Sequence, residues 1–342
     1  MHCKSDNPNT VLPIGVNMII DRGVKQESRN GPTLEIPEPV ITTYRKPLER
    51  VLLDDVRDCN PFFHYMESIW MLAGRQDTEF LTKFVPGMSD FSDDGLIFNS
   101  AYGYRIRHHF GFDQFAAVIN MLKKDPDTRR AVIQIWDHQD LHKESKDYAC
   151  NTSMMFKIRN GKLNLTVTNR SNDMIWGAYG ANVVHFSMMQ EYVAAAVGVP
   201  VGVYNQVSDS LHVYTNNPKW KLLSDKYYHD PISGSLPVSY NPYEDRPTEV
   251  FPHQLVEHPS TFLQECERFC DDPLGSYNFY NRTFSSIAQP MYLAYTMHKE
   301  GNVYGALNVV HSSMMPCDWK VACTEWLKRR TPISKSKFPN KW

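Results

Sequence analysis

Residues 153–170 constrain the fold more than any other stretch of the chain. Ser153–Arg159 and Lys162–Arg170 read as strands joined at Asn160-Gly161. That dipeptide favours the tight positive-φ turn of a β-hairpin. Leu163, Leu165 and Val167 alternate with polar residues, so one face of the second strand is buried. A strand over Ala131–Trp136 precedes the hairpin. A helix at about 182–197, closed by Gly198, follows it, and then come short strands around Tyr204–Ser208 and Leu211-His212-Val213-Tyr214. Helices interleaved with hairpin-linked strands imply an α+β domain with a mostly antiparallel or mixed sheet.

Elsewhere the punctuation is local. Residues 1–45 are polar and proline-rich and read as an arm or loop around Ser28-Arg29-Asn30-Gly31. Asn60, Pro61 and Gly74 mark the start and stop of a helix from about 61 to 73. Residues 84–101 read as loop, and a second helix near 113–124 starts at Asp113 and ends before Asp125-Pro126. Residues 218–260, rich in Pro, Tyr and Asp, read as ordered loops. From about 285 the pattern is helical again, ending in a basic tail. The expected organisation is an arm over 1–45, a core over 46–217, and an extension of the same domain over 218–342, loops then helices.

Composition excludes some roles. A net charge of −2 supplies no basic field for nucleic acid or an anionic membrane. No apolar run approaches the roughly 20 residues that span a bilayer, and no apolar segment follows Lys4 as in a signal peptide. The seven cysteines are odd in number and show no disulfide framework. A cytoplasmic protein is expected. Cys266 and Cys270 lack a CxxC or paired histidine beside them, so no metal site is expected.

Chemistry points to a few residues. Cys150 follows the polar stretch 142–148 and precedes a strand. A thiolate there can attack an electrophilic carbon if nearby arginines lower its pKa. Arg170-Ser171 ends the hairpin and Arg129-Arg130 precedes a strand; guanidinium forks suit phosphate oxygens, although surface ion pairs would explain them equally. Glu67 lies within an otherwise apolar helix, where a carboxylate can move protons or simply occupy an exposed position. Asp173, Asn182, His212 and Tyr214 sit at strand or helix ends.

Together these segments resemble the thymidylate synthase superfamily. His64-Tyr65-Met66-Glu67-Ser68-Ile69-Trp70 resembles its Glu-x-x-Trp helix, and Ala149-Cys150-Asn151 its nucleophile segment. Asp127-Thr128-Arg129-Arg130 resembles the arginine pair that reaches the partner subunit's phosphate. Asn169-Arg170-Ser171-Asn172-Asp173 and Asp209-Ser210-Leu211-His212-Val213-Tyr214 resemble the Arg-Ser-x-Asp and Asp-x-His-x-Tyr motifs. The resemblance implies a mixed sheet covered by helices and a sheet-to-sheet homodimer with shared sites. It implies that Cys150 adds to C6 of a pyrimidine nucleoside monophosphate, making C5 a nucleophile. Glu67, Tyr102 and Asp173 would manage protons through ordered water. Arg29, Arg170 and Ser171, with Arg129 and Arg130 of the other subunit, would bind phosphate, and His212 and Tyr214 the sugar hydroxyl. The one-carbon donor would be 5,10-methylenetetrahydrofolate. The C-terminal third carries no matching motif.

Departures from the synthases favour another product. Asn99-Ser100-Ala101-Tyr102-Gly103 stands where synthases have Gly-Pro-x-Tyr-Gly, Ala149-Cys150-Asn151 replaces Pro-Cys-His, and Trp176–Asn182 is one residue longer than its counterpart. These runs resemble the phage deoxypyrimidylate hydroxymethylases instead. Counted back from Tyr102, Met88 beside Ser89 falls where the synthases place a shielding tryptophan. A wetter site lets water capture the methylene and give CH2OH. Nor does the chain end in the synthases' apolar closing tail, but in Pro339-Asn340-Lys341-Trp342. Asn182, or Ala181 if the extra residue shifts the alignment, corresponds to the family's base-pairing asparagine. Asparagine favours uracil, yet an amide can turn over to pair with cytosine. The expectation is a dUMP 5-hydroxymethylase encoded by a phage. The alternatives are a thymidylate synthase, a dCMP or CMP hydroxymethylase, and a silent nucleotide- or RNA-binding relative, against which Cys150, Glu67 and Asp173 together argue.

Overall fold

The computed structural model describes residues 1–228 and 240–332. Among the described residues ten strands run β1 His2–Ser5, β2 Val24–Gln26, β3 Thr33–Ile36, β4 Val40–Tyr44, β5 Val132–Gln134, β6 Asn151–Arg159, β7 Lys162–Asn169, β8 Asn172–Asp173, β9 Val201–Ser208 and β10 Leu211–Tyr214. The main helices are α1 Pro8–Arg22, α2 Pro61–Leu72, α3 Gln114–Lys124, α4 Asn182–Val197, α5 Pro218–Tyr227, α6 Pro259–Asp271, α7 Gln289–Lys299, α8 Val303–Ser313 and α9 Asp318–Lys328. No helix among the described residues is long and apolar enough to cross a membrane.

The strands form two mixed sheets. The larger has the order β1-β4-β9-β7-β6-β5 and the smaller β2-β3-β10-β8. The hairpin lies in the larger sheet, with Asn160 at φ 52° and Gly161 at φ 70°. Leu163, Leu165 and Val167 are fully buried, as the alternation requires. β7 and β9 run parallel, with the nearly all-buried α4 bridging their ends. Gln190 of α4 donates to the carbonyls of Leu163 and Val203 at 2.8 and 3.1 Å.

The helix stop signals hold. Asn60 accepts from the Phe63 amide at 3.2 Å, Pro61 opens α2, and Gly74 takes φ 73° just past its end. Asp113 caps α3 through the Ala116 amide at 3.2 Å. Gly198 ends α4 in the left-handed region.

Two expectations fail. Residues 1–45 are not an arm or loop. They form α1 and four strands, with β1 and β4 built into the larger sheet and Val11, Leu12, Val16 and Ile19 of α1 in the core. Asn7 starts α1 with a capping box to Thr10, and Pro8 occupies its first turn. Residues 218–260 are not all loop either, since Asn217 caps α5 through the Lys219 amide at 2.9 Å. Pro218, Pro242 and Pro259 open helices at their first turn rather than breaking them. The helical C-terminal part begins with α6 at Pro259, earlier than 285. Residues 333–342, which include the basic tail, lie outside the described residues.

Candidate active site

Cys150 stands immediately before β6, and its carbonyl accepts from the Arg170 amide at 2.9 Å across the hairpin. The hairpin register therefore sets Cys150 beside Arg170-Ser171. Arg170 Nε donates to the Ala149 carbonyl at 2.9 Å, and its Nη2 lies 3.9 Å from Cys150 Sγ. The same guanidinium covers the Trp136 ring at 5.3 Å. Arg29 comes from the β2–β3 hairpin tip, donating to the Lys146 carbonyl at 3.2 Å and lying over the Tyr148 ring. Ser28 shapes that tip by donating to the Gly31 carbonyl at 2.6 Å.

The electrostatics of the thiol reverse one expectation. Burial pushes Cys150 above its ordinary value, more strongly than Arg170, Arg29 and a hydrogen bond from Ser171 pull it down; Asp147 adds to the rise. The resting group is a thiol, because a half-buried sulfur is costly to charge.

Tyr102 lies on the other side. Its hydroxyl accepts from the Cys150 amide at 3.3 Å, and burial holds its phenol well above the usual range. Gly103 makes this placement possible. A Cβ there would lie 1.8 Å from the Met71 carbonyl oxygen, so the segment rests directly on the last turn of α2. Tyr102 also stacks on Phe186 at 6.1 Å, one turn along α4 from Asn182.

Glu67 projects from α2, which is buried along almost its whole length, so the exposed-surface reading of this carboxylate is excluded. Its Oε2 approaches His185 Nε2 at 2.9 Å, without the alignment of a hydrogen bond; among the described residues His185 has no hydrogen-bond partner for its ring nitrogens. Nearby His64 is held neutral, its basicity lowered first by burial and then by Arg57 and His185.

Asp173 and His212 are paired in the β8–β10 register, and Ser210 Oγ lies 3.0 Å from His212 Nδ1. Burial raises Asp173 despite the Trp176 amide, His212 and Arg57, and its buried Oδ2 has no hydrogen-bond partner among the described residues. Tyr214 packs edge-on against His212 at 5.4 Å, and its hydroxyl is 3.5 Å from Asn30 Nδ2. Asn182 opens α4 and donates to Asn172 Oδ1 at 3.1 Å.

Arg129 and Arg130 are exposed ahead of the edge strand β5, and the arginines acting on Cys150 are Arg170 and Arg29. One chain thus gathers Arg29, Arg170, Ser171 and Tyr102 around Cys150, but not the 129–130 pair. Met88 lies half-buried in the turn Pro86–Phe91.

Sequence reasoning missed several participants. Arg57 is buried, donates to the Ile175 carbonyl at 2.7 Å, and lies 4.2 Å beneath the ring of half-exposed Trp176. His185, Asn172 and Gln206 were also missed. Gln206 carried a signal, since it falls on the buried side of the β9 alternation with Tyr204 and Ser208.

The chain is similar to known proteins over most of its length. The thymidylate synthase profile matches residues 15–227. The chain is 42% identical over 333 residues to the deoxyuridylate hydroxymethyltransferase of Pseudomonas phage M6, covering 96% of this chain and 93% of that protein. Identity is also 42% over 251 residues to the deoxyuridylate hydroxymethyltransferase of Bacillus phage SP01, with 69% and 64% covered. A putative thymidylate synthase of Methanothermobacter marburgensis is 40% identical over 128 residues, 37% of this chain and 56% of that protein.

Proposed function

The chain belongs to the thymidylate synthase family, and on that premise we propose that it converts dUMP to 5-hydroxymethyl-dUMP. The observation that carries this reading is the half-buried Cys150 thiol with Arg170, Ser171 and Arg29 gathered beside it. A phosphate fits those cations, and their charge would in turn steady the thiolate. Two phage relatives whose names state hydroxymethyl transfer to deoxyuridylate support the choice of product.

In this mechanism the Cys150 thiol gives its proton to water, Sγ bonds to C6, and the C5–C6 electron pair moves toward C5 and O4. Asn182 faces the base edge, and His212 and Tyr214 face the sugar. Tyr102, Glu67 and Asp173 hold and move protons, Tyr102 from its bond to the Cys150 amide. The residues present also fit 5,10-methylenetetrahydrofolate. The exposed Trp176 ring, planted on Arg57 and with its amide on Asp173 Oδ1, offers a flat surface on which a pterin ring could stack. When bound, the folate supplies a one-carbon unit to C5. Loss of the C5 proton and departure of tetrahydrofolate would leave a methylene on C5; a water joins that carbon to give CH2OH, and Cys150 Sγ leaves C6 as the C5–C6 double bond re-forms.

A homodimer packed sheet to sheet is part of the proposal. Thr166, Thr168, Asn205 and Val207 leave one face of β7 and β9 half-exposed, and exposed Arg129 and Arg130 are free to serve a second chain.

The test is mass analysis of the nucleotide after incubation with dUMP and methylenetetrahydrofolate. The expected product is 5-hydroxymethyl-dUMP, with tritium released from C5 and no rise in dihydrofolate absorbance. Formation of dTMP with dihydrofolate rising in step refutes the hydroxymethyl reading. Cys150→Ala is expected to release no tritium; retained turnover removes the nucleophile assignment.

A further inference from the structure

The inner face of the larger sheet turns polar near the site. Gln206 is fully buried and Asn172 is 2% exposed, and a run of hydrogen bonds leads through them to Asn182. An amide side chain has one end that only donates and one that only accepts, so such a run has a direction. The direction is set by a group that cannot turn over. The Ala178 carbonyl accepts from Gln206 Nε2 at 3.0 Å. Gln206 therefore presents Oε1 to Asn172, which donates to it through Nδ2 at 2.6 Å and to Ser208 Oγ at 2.9 Å. Asn172 Oδ1 is left facing Asn182, which must donate through its own Nδ2 at 3.1 Å. Gly177 closes the space, because a Cβ there would lie 2.8 Å from Asn172 Oδ1.

We propose that Asn172 is a positioning residue that fixes which end of the Asn182 amide meets the base, and so makes the site select uracil over cytosine. This rests on the reading above, in which Asn182 faces a pyrimidine monophosphate. With one Nδ2 hydrogen engaged by Asn172, Asn182 offers its other N–H and its Oδ1. That pair matches O4 and N3–H of uracil. Cytosine carries an amino donor and a bare N3 in those places and pairs only with the amide turned over. Turned over, Asn182 Oδ1 would face Asn172 Oδ1 with no proton between them. Asn172 cannot turn in response without facing Gln206 Oε1, nor Gln206 without facing the Ala178 carbonyl. The amide flip that would admit cytosine is blocked from the backbone.

The test compares kcat/KM for dUMP and dCMP, read as tritium release from C5-labelled nucleotide with methylenetetrahydrofolate. Losing one oriented hydrogen bond corresponds to about a tenfold change. Asn172→Ala is expected to lower the dUMP-to-dCMP ratio by about that factor. Gln206→Leu, one step farther from the site, lowers the ratio as Asn172→Ala does and reports even if that variant fails to fold. If Asn172→Ala or Gln206→Leu slows both nucleotides equally, the proposal is overturned. Wild-type protein that acts on neither nucleotide defeats the reading of function instead, whereas wild-type activity on dUMP with unchanged ratios defeats only the role of Asn172.

Discussion

At the scale of single residues, the proposed nucleophile rests as a thiol. Cys150 is pushed above its ordinary value of 9.0 by burial, and the two arginines and Ser171 only partly offset this. Its alkylation by iodoacetamide should therefore rise about tenfold per pH unit from pH 6 to 9, following the thiolate fraction, with no plateau in that range. A plateau near neutral pH would show that the arginines win. The other six cysteines are buried, so the labelled site can be read directly by peptide mapping. Cys150, Arg29, Arg170 and Ser171 were legible in the sequence because each sits in a short motif next to a strand end or turn. Asn172 and Gln206 were not, because an amide reveals its direction only through partners far away in sequence.

At the scale of elements, what was legible followed from local chemistry. Asn160-Gly161 and the caps of α2 and α3 act within a few residues, and the structure has them where the sequence placed them. α1 was hidden because Pro13 interrupts it and its buried residues share the helix with Asn9 and Asn17. Its stability comes from the core that Val11, Leu12, Val16 and Ile19 enter, a tertiary contribution that propensity does not report. The contact between Gly103 and the end of α2 is tertiary too. A methyl group at Gly103 must displace backbone rather than a flexible side chain. Gly103→Ala should cost about 1–3 kcal/mol in urea unfolding. It should also lower kcat out of proportion to the lost stability, since Tyr102 moves with it. Unchanged unfolding would mean the segment relaxes freely.

At the scale of the whole molecule, the parts after residue 240 are tied to the front by buried polar groups. Arg50 pairs with Glu191 at 2.5 Å, and Glu191 also accepts from the Leu255 amide. Asp318, fully buried, accepts from the Tyr243 hydroxyl at 2.9 Å, and burial raises its carboxyl to about 7. The folded protein thus keeps a proton that the unfolded chain gives up near 3.8, so the contribution of Asp318 to stability falls as pH rises from about 4 to 7 and levels off above. The span is on the order of 4 kcal/mol. Asp318→Asn should flatten this slope in urea titrations at pH 5 and 8; an unaltered slope would mean that Asp318 is ionised throughout. The same rear elements grip α2, with Phe62 against Tyr295 and Trp326 at 5.3 and 5.5 Å, and Tyr65 against Trp319 at 5.1 Å. The stretch that matches the family profile stops at residue 227, before any of these partners. It is therefore not a portable cassette. A graft cut at that point would lay the aromatic side of α2 open to water, so exchanging properties among such relatives calls for single replacements rather than spliced chimaeras.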